Sequence, residues 1–113
     1  MKPQSAKGKG RRFQQWVRDL ILESFPSLEP DDVRSTSMGA GGEDLLLSPA
    51  ARRLFPYSVE CKNTEKINVW NAYEQASANS GKHEPILFMK KNRKKPLVVM
   101  DAESFLTLLR SQK

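Results

Sequence analysis

The chain has 113 residues, enough for one domain around one hydrophobic core. Nineteen Lys and Arg against thirteen Asp and Glu give a net charge of +6, a balance that favours polyanionic partners such as nucleic acid. A single Cys and a single His exclude an intramolecular disulfide and any zinc site built from those two residue types alone, so a bound metal needs oxygen ligands, as Mg²⁺ or Mn²⁺ takes.

In chain order, residues 1–10 carry Lys2, Lys7 and Lys9 among two glycines and a proline, the composition of a flexible basic arm, which leaves 11–113 as the domain. No signal-like apolar stretch follows the arm, and no apolar run approaches the roughly 20 residues that cross a bilayer, so the expectation is a soluble cytoplasmic protein. Residues 11–24 place Phe13, Trp16, Val17, Leu20 and Ile21 on one face of a helix, which predicts that Trp16 belongs to the core. A short strand is expected over 33–36. The glycine-rich loop at 37–42 lacks the spacing of a phosphate-cradling P-loop.

Residues 44–47 read as a short buried strand, 48–56 as a loop carrying Arg52 and Arg53, and 57–62 as a second strand with Val59 and Cys61 on one face and Glu60 and Lys62 on the other. A helix over 68–80 is capped by Asn68 and stopped by Gly81. Its apolar stripe is Val69, Ala72, Tyr73 and Ala76, with Asn71, Gln75 and Asn79 on a separate polar stripe, and Trp70 is expected to pack. Strands at 86–89 and 97–100 form a hairpin whose connection holds Lys90, Lys91, Arg93, Lys94 and Lys95. Asp101 caps a last helix with Phe105, Leu106, Leu108 and Leu109 as its apolar side. The order of elements is that of a mixed α/β domain, a single central sheet flanked by helices.

The segment that carries chemistry is Asp44-Leu45-Leu46-Leu47 followed by Val59-Glu60-Cys61-Lys62. Residues two apart on a strand point the same way, so Glu60 and Lys62 emerge together and an acid at the start of a neighbouring strand can meet them. Phosphodiester cleavage needs such a set. Two carboxylates hold a divalent cation, the cation activates water and neutralises charge on the phosphate, and an ammonium group steadies the same charge or acts as a base. Glu43 competes with Asp44 for the first acid; Asp44 directly precedes the apolar run and is preferred.

In this arrangement the chain resembles the PD-(D/E)XK nuclease superfamily, and within it the archaeal-type Holliday junction resolvases and their bacteriophage relatives. The likeness rests on Lys9-Gly10 opening the first helix, Val33-Arg34-Ser35 before the Gly-rich loop and Asp44, Val59-Glu60-Cys61-Lys62 as the (D/E)XK strand, and Glu74-Gln75 in the next helix. It implies a restriction-endonuclease-like fold and metal ligation by Asp44 and Glu60, with Mg²⁺ or Mn²⁺ as cofactor. It also implies Lys62 as catalytic lysine, Gln75 facing the site, and Ser35 or Ser37 near the scissile phosphate. Those resolvases carry a glutamate in the first helix, where this chain has Gln14, and the proline of the motif is replaced by Glu43. The implied function is cutting of branched DNA, four-way junctions above all, by a homodimer working in a host cell's cytoplasm if the enzyme is viral. Lys9, Arg11, Arg12, Arg52, Arg53, Lys90, Lys91, Arg93, Lys94 and Lys95 are candidate phosphate contacts. Two alternatives stand beside this reading: the same chemistry on flaps, nicked or linear duplex, and a DNA-binding module without catalysis.

Overall fold

The computed structural model describes residues 6–36 and 42–112. Helix α1 (Ala6–Ser24) leads through a turn of 3₁₀ helix (Pro30–Asp32) into β1 (Val33–Ser35). Then follow β2 (Leu45–Leu47), α2 (Pro49–Leu54), β3 (Tyr57–Asn63), α3 (Val69–Ala78), β4 (Glu84–Lys90), β5 (Leu97–Val99) and α4 (Ala102–Arg110). The predicted α/β class is correct. The strands form two sheets rather than one: β1 and β2 pair antiparallel, and a separate mixed sheet runs β3-β4-β5.

In the mixed sheet, β3 and β4 are parallel, with Glu60 opposite Leu87 and Cys61 opposite Phe88. Parallel neighbours need a crossover, and α3 supplies it between them. Asn68 caps α3 as expected, its side chain accepting from the Asn71 N–H at 3.0 Å. Gly81 turns the chain back with φ +58°, a left-handed conformation that glycine adopts without penalty. β4 and β5 form the expected hairpin, with Leu87 opposite Val99. No described helix is long and apolar enough to cross a membrane.

The two faces of β3 have different fates. Val59, with Ile86 and Phe88 of β4, packs under Phe13, Val17 and Ile21 of α1, joined by Val33, Leu45 and Ala51. On the other face Leu87 is fully buried, and Ala72 and Ala76 are the buried residues of α3. Two alanines let that helix lie close to the strands. Arg18 ties α1 to the first sheet by donating to the carbonyls of Val33 and Pro30, each at 2.7 Å.

Several expectations need correction. Residues 6–10, predicted as arm, are the first turns of α1, so Lys7 and Lys9 ride on a helix. Most of the 48–56 segment, expected as a loop, is the helix α2 over Pro49–Leu54: Ser48 accepts from the Ala51 N–H, and Pro49 takes the first helical position, where its missing N–H costs nothing. Trp16 is 45% exposed and Trp70 78% exposed, neither in the core. Phe105, Leu106 and Leu109 are also exposed, and α4 buries none of its residues. Asp101 nonetheless caps α4 as expected, accepting from the Ser104 N–H at 2.8 Å.

Ser48 serves two partners, since its hydroxyl also donates to Asp32 Oδ1 at 2.6 Å. We expect Ser48→Ala to lose about 1 kcal/mol, the usual worth of an N-cap, and to lower the melting temperature by about 4 °C. Urea and thermal unfolding followed by circular dichroism measure both.

Candidate active site at the join between the sheets

The site is built where β2 meets β3. The Asp44 N–H donates to the Val59 carbonyl at 2.9 Å, the first bond of a parallel ladder with Asp44 opposite Glu60. The next bond of such a ladder would run from the Cys61 N–H to the Asp44 carbonyl. That carbonyl already accepts from the Thr36 N–H at 3.0 Å and the Thr36 hydroxyl at 3.1 Å. The Cys61 N–H donates instead to Asp44 Oδ2, at 2.7 Å. A side-chain carboxylate thus takes the place of a backbone carbonyl, and the sheets part at this residue.

The consequence is convergence. Asp44 and Glu60 lie close enough that the negative charge of Asp44 helps to raise the Glu60 carboxyl, and Lys62 acts on both. Burial is the larger cause, and together the two push Glu60 up to about 6, against the smaller opposing effects of Asn79 and Lys62. Burial also raises Asp44, opposed by the Cys61 N–H and by Lys62. Cys61 sits between the acids, and burial followed by the two carboxylates pushes its thiol well up. A neutral thiol there is a packing group and not a nucleophile.

Glu43, the competing acid, is removed from the site by Arg52. One guanidinium nitrogen, Nη2, reaches both Glu43 carboxylate oxygens at 2.8 Å, and Nη1 donates to the Tyr57 carbonyl at 2.9 Å. Both side chains are largely shielded from water, which strengthens the pair. Arg52, expected on the DNA surface, is therefore a strut between β2, α2 and β3, and its charge is already used.

Gln75, expected to face the site, is exposed on α3 and makes no bond to the acids. Asn79, one turn later on the same polar stripe, donates to Glu60 Oε1 at 3.4 Å. The i, i+4 spacing of Gln75 and Asn79 was visible in the sequence; which of them meets Glu60 depends on the crossover. Gln14 is buried at 3% exposure, and its Oε1 has no hydrogen-bond partner among the described residues. Ser35 lies in β1 opposite Leu45, next in chain to Asp44. Ser37 falls outside the described residues.

The remaining cations are spread over the surface. Arg11 and Arg12 are exposed on α1, and Arg53 on α2. Lys91, Arg93, Lys94 and Lys95 are exposed in the hairpin connection, where Arg93 takes a left-handed φ of 64°. Lys90 is the last residue of β4, and its Nζ donates to the Lys91 carbonyl at 3.2 Å. Lys9 pairs with Glu65 at 3.2 Å.

The donor set fits a hard divalent cation. Asp44 Oδ1 and Glu60 Oε2 accept no hydrogen bond among the described residues, and Lys62 makes no ion pair there. Two carboxylate oxygens, with water completing the shell, are what Mg²⁺ commonly takes from a protein. No third acid joins them: among the described residues no group of three or more His, Cys, Asp or Glu side chains gathers. No protein-family model, no curated protein and no solved structure matches this chain.

The raised Glu60 carboxyl has a thermodynamic signature. Folding raises its pKa from about 4.5 to about 6, so the folded state holds the proton more tightly. Stability from this group is full below about 4.5 and is lost as pH rises through about 6. In EDTA, Glu60→Gln is expected to be more stable than the parent above pH 6, with the difference vanishing towards pH 4.5. The gain is about 2 kcal/mol, because Glu60 is only 5% exposed and little water screens it. Urea unfolding across pH 4 to 8 reads the crossover, and a difference that does not change with pH would refute the assignment.

Proposed function

We propose that this protein is a metal-dependent endonuclease of the PD-(D/E)XK kind that cuts branched DNA, four-way junctions above all, and that its two sheets are a small form of the restriction-endonuclease-like fold. The observation that carries the reading is the meeting of Asp44 with Glu60 and Lys62, which lie on a different strand, at a point where Glu60 is buried and the carboxylates repel each other. A site that stores such repulsion is suited to a cation.

Asp44 and Glu60 would hold Mg²⁺ or Mn²⁺, which when bound supplies an activated water and neutralises charge on the phosphate. Asp44 is fixed by its bond to the Cys61 N–H through Oδ2, which leaves Oδ1 to take a ligand. Asn79 orients Glu60 by its bond to Oε1. Lys62 donates to the phosphate oxygens as negative charge builds on them. Arg11, Arg12 and the hairpin cations grip the phosphate backbone without reading sequence. Glu60→Ala or Lys62→Ala is expected to reduce Mg²⁺-dependent cutting of a labelled four-way junction at least about a hundredfold, while junction binding in EDTA changes little. Equal cutting of linear duplex by the wild type would refute the junction preference, and binding without scission in Mg²⁺ would favour a DNA-binding module.

Two symmetric cuts call for two copies, and the second copy is proposed to cover α4. Phe105, Leu106 and Leu109 are exposed along α4, and Leu97 and Val98 are exposed on the edge strand β5. A nine-residue helix is marginal in water without apolar packing. Pairing α4 antiparallel across a two-fold axis brings Glu103 in its first turn against Arg110 in the partner's last turn. Leu106→Glu is expected to turn a dimer into a monomer in analytical ultracentrifugation; a monomeric wild type at micromolar concentration would refute this interface.

A further inference from the structure

A second site lies on the other face of β3. Asn63 follows Lys62 in the strand and so points to the opposite side, towards α1. There it lines a groove of about 410 Å³, within the range of small-ligand sites. Lys9, Arg12 and Lys90 line it too, with the partly exposed Trp16 and no carboxylate among its walls. Trp16 is 45% exposed and stacks on the buried Phe13, with ring centroids 6.0 Å apart and planes 17° from parallel. One face of the indole is thus held against the protein. The Asn63 side chain donates through Nδ2 to the Lys9 carbonyl at 3.5 Å, while its Oδ1 is buried with no hydrogen-bond partner among the described residues. A buried acceptor without a donor is costly unless a ligand completes it.

We propose that this groove binds one unpaired nucleotide of a DNA strand. The base stacks on Trp16, an N–H on the edge of the base donates to Asn63 Oδ1, and the adjoining phosphates lie against Lys9, Arg12 and Lys90. Inorganic phosphate would leave the indole unused and would place a second acceptor beside Oδ1. A nucleotide meets all three requirements at once: a flat π face, an N–H on the base edge such as the exocyclic amino group of cytosine, and negative charge. Because the groove and the Glu60–Lys62 pair lie on opposite faces of β3, the nucleotide held here is not the one that is cut. It is one from a single-stranded or opened stretch of the branched substrate. Glu65 tempers the site by pairing with Lys9 and by accepting from the Asn92 N–H at 2.8 Å, which fixes the hairpin connection to the groove's rim.

The proposal rests on the DNA-binding part of the reading above and not on cleavage. The chain has two tryptophans, so Trp70→Phe leaves Trp16 as the sole indole reporter. Binding is measured with that protein in EDTA, using a deoxycytidine hexamer and an abasic hexamer of equal charge. The deoxycytidine hexamer is expected to quench Trp16 and to bind about tenfold more tightly than the abasic one, and Trp16→Leu, read by calorimetry, should remove that preference. Equal affinity for the two hexamers, a preference that survives Trp16→Leu, or equal binding of a polyglutamate peptide would overturn the proposal. The wild-type comparison stands even if a variant fails to fold. Protein that prefers the hexamer with bases but never cuts DNA would keep this inference and sink the nuclease; protein that cuts but shows no preference would do the reverse.

Discussion

The hydrogen bond from the Cys61 N–H to the Asp44 carboxylate organises this molecule. β2 approaches β3 through one backbone bond, from Asp44 to Val59, and then diverges because the Asp44 carbonyl is committed to Thr36. The carboxylate closes the gap. Without it the Cys61 N–H, partly buried at the centre of β3, would have no partner at this point of the ladder, and buried backbone donors are rarely left so. The same bond fixes the direction of the Asp44 side chain. Structure and candidate chemistry therefore share one residue, and the acid is held in place by the fold it helps to join.

Around that joint the charges are sorted by geometry and not by number. Four charged side chains lie close in sequence to the break: Glu43, Asp44, Glu60 and Lys62. Arg52 neutralises Glu43 with a two-oxygen contact, which leaves Asp44 and Glu60 facing each other with only Lys62 to offset them. Burial then raises both remaining acids. An arrangement that keeps two carboxylates close works against folding, and positions that carry such a penalty are where ligand-binding chemistry concentrates.

The surface shows the limits of a small sheet. Three strands offer two faces, and α1 and α3 cover them. No comparable apolar area remains for α4, whose face stays open, or for Trp70 on the outer side of α3. Trp16 is different, because it is backed by Phe13 and shares its groove with Lys9, Arg12 and Lys90.

The amino-acid sequence by itself determined the local elements: the α1 stripe of Phe13, Val17 and Ile21, the Asn68 and Asp101 caps, the alternation of Val59 and Cys61 with Glu60 and Lys62, and the last hairpin. These are short-range patterns, written in periods of 3.6 and 2 and in capping chemistry. Ser48-Pro49 carried the signal for α2 as well, although two arginines and a proline-bounded segment made it read as a loop. Only the tertiary structure decided the rest: the division into two sheets, the parallel pairing of β3 with β4, the use of Arg52 on Glu43, the choice of Asn79 over Gln75 beside Glu60, and the exposure of Trp16. Each of these depends on which residues distant in the chain come to share a surface, and on how much surface there is to share. A periodic pattern says which face of a helix is apolar. It does not say how much of that face a three-stranded sheet can cover.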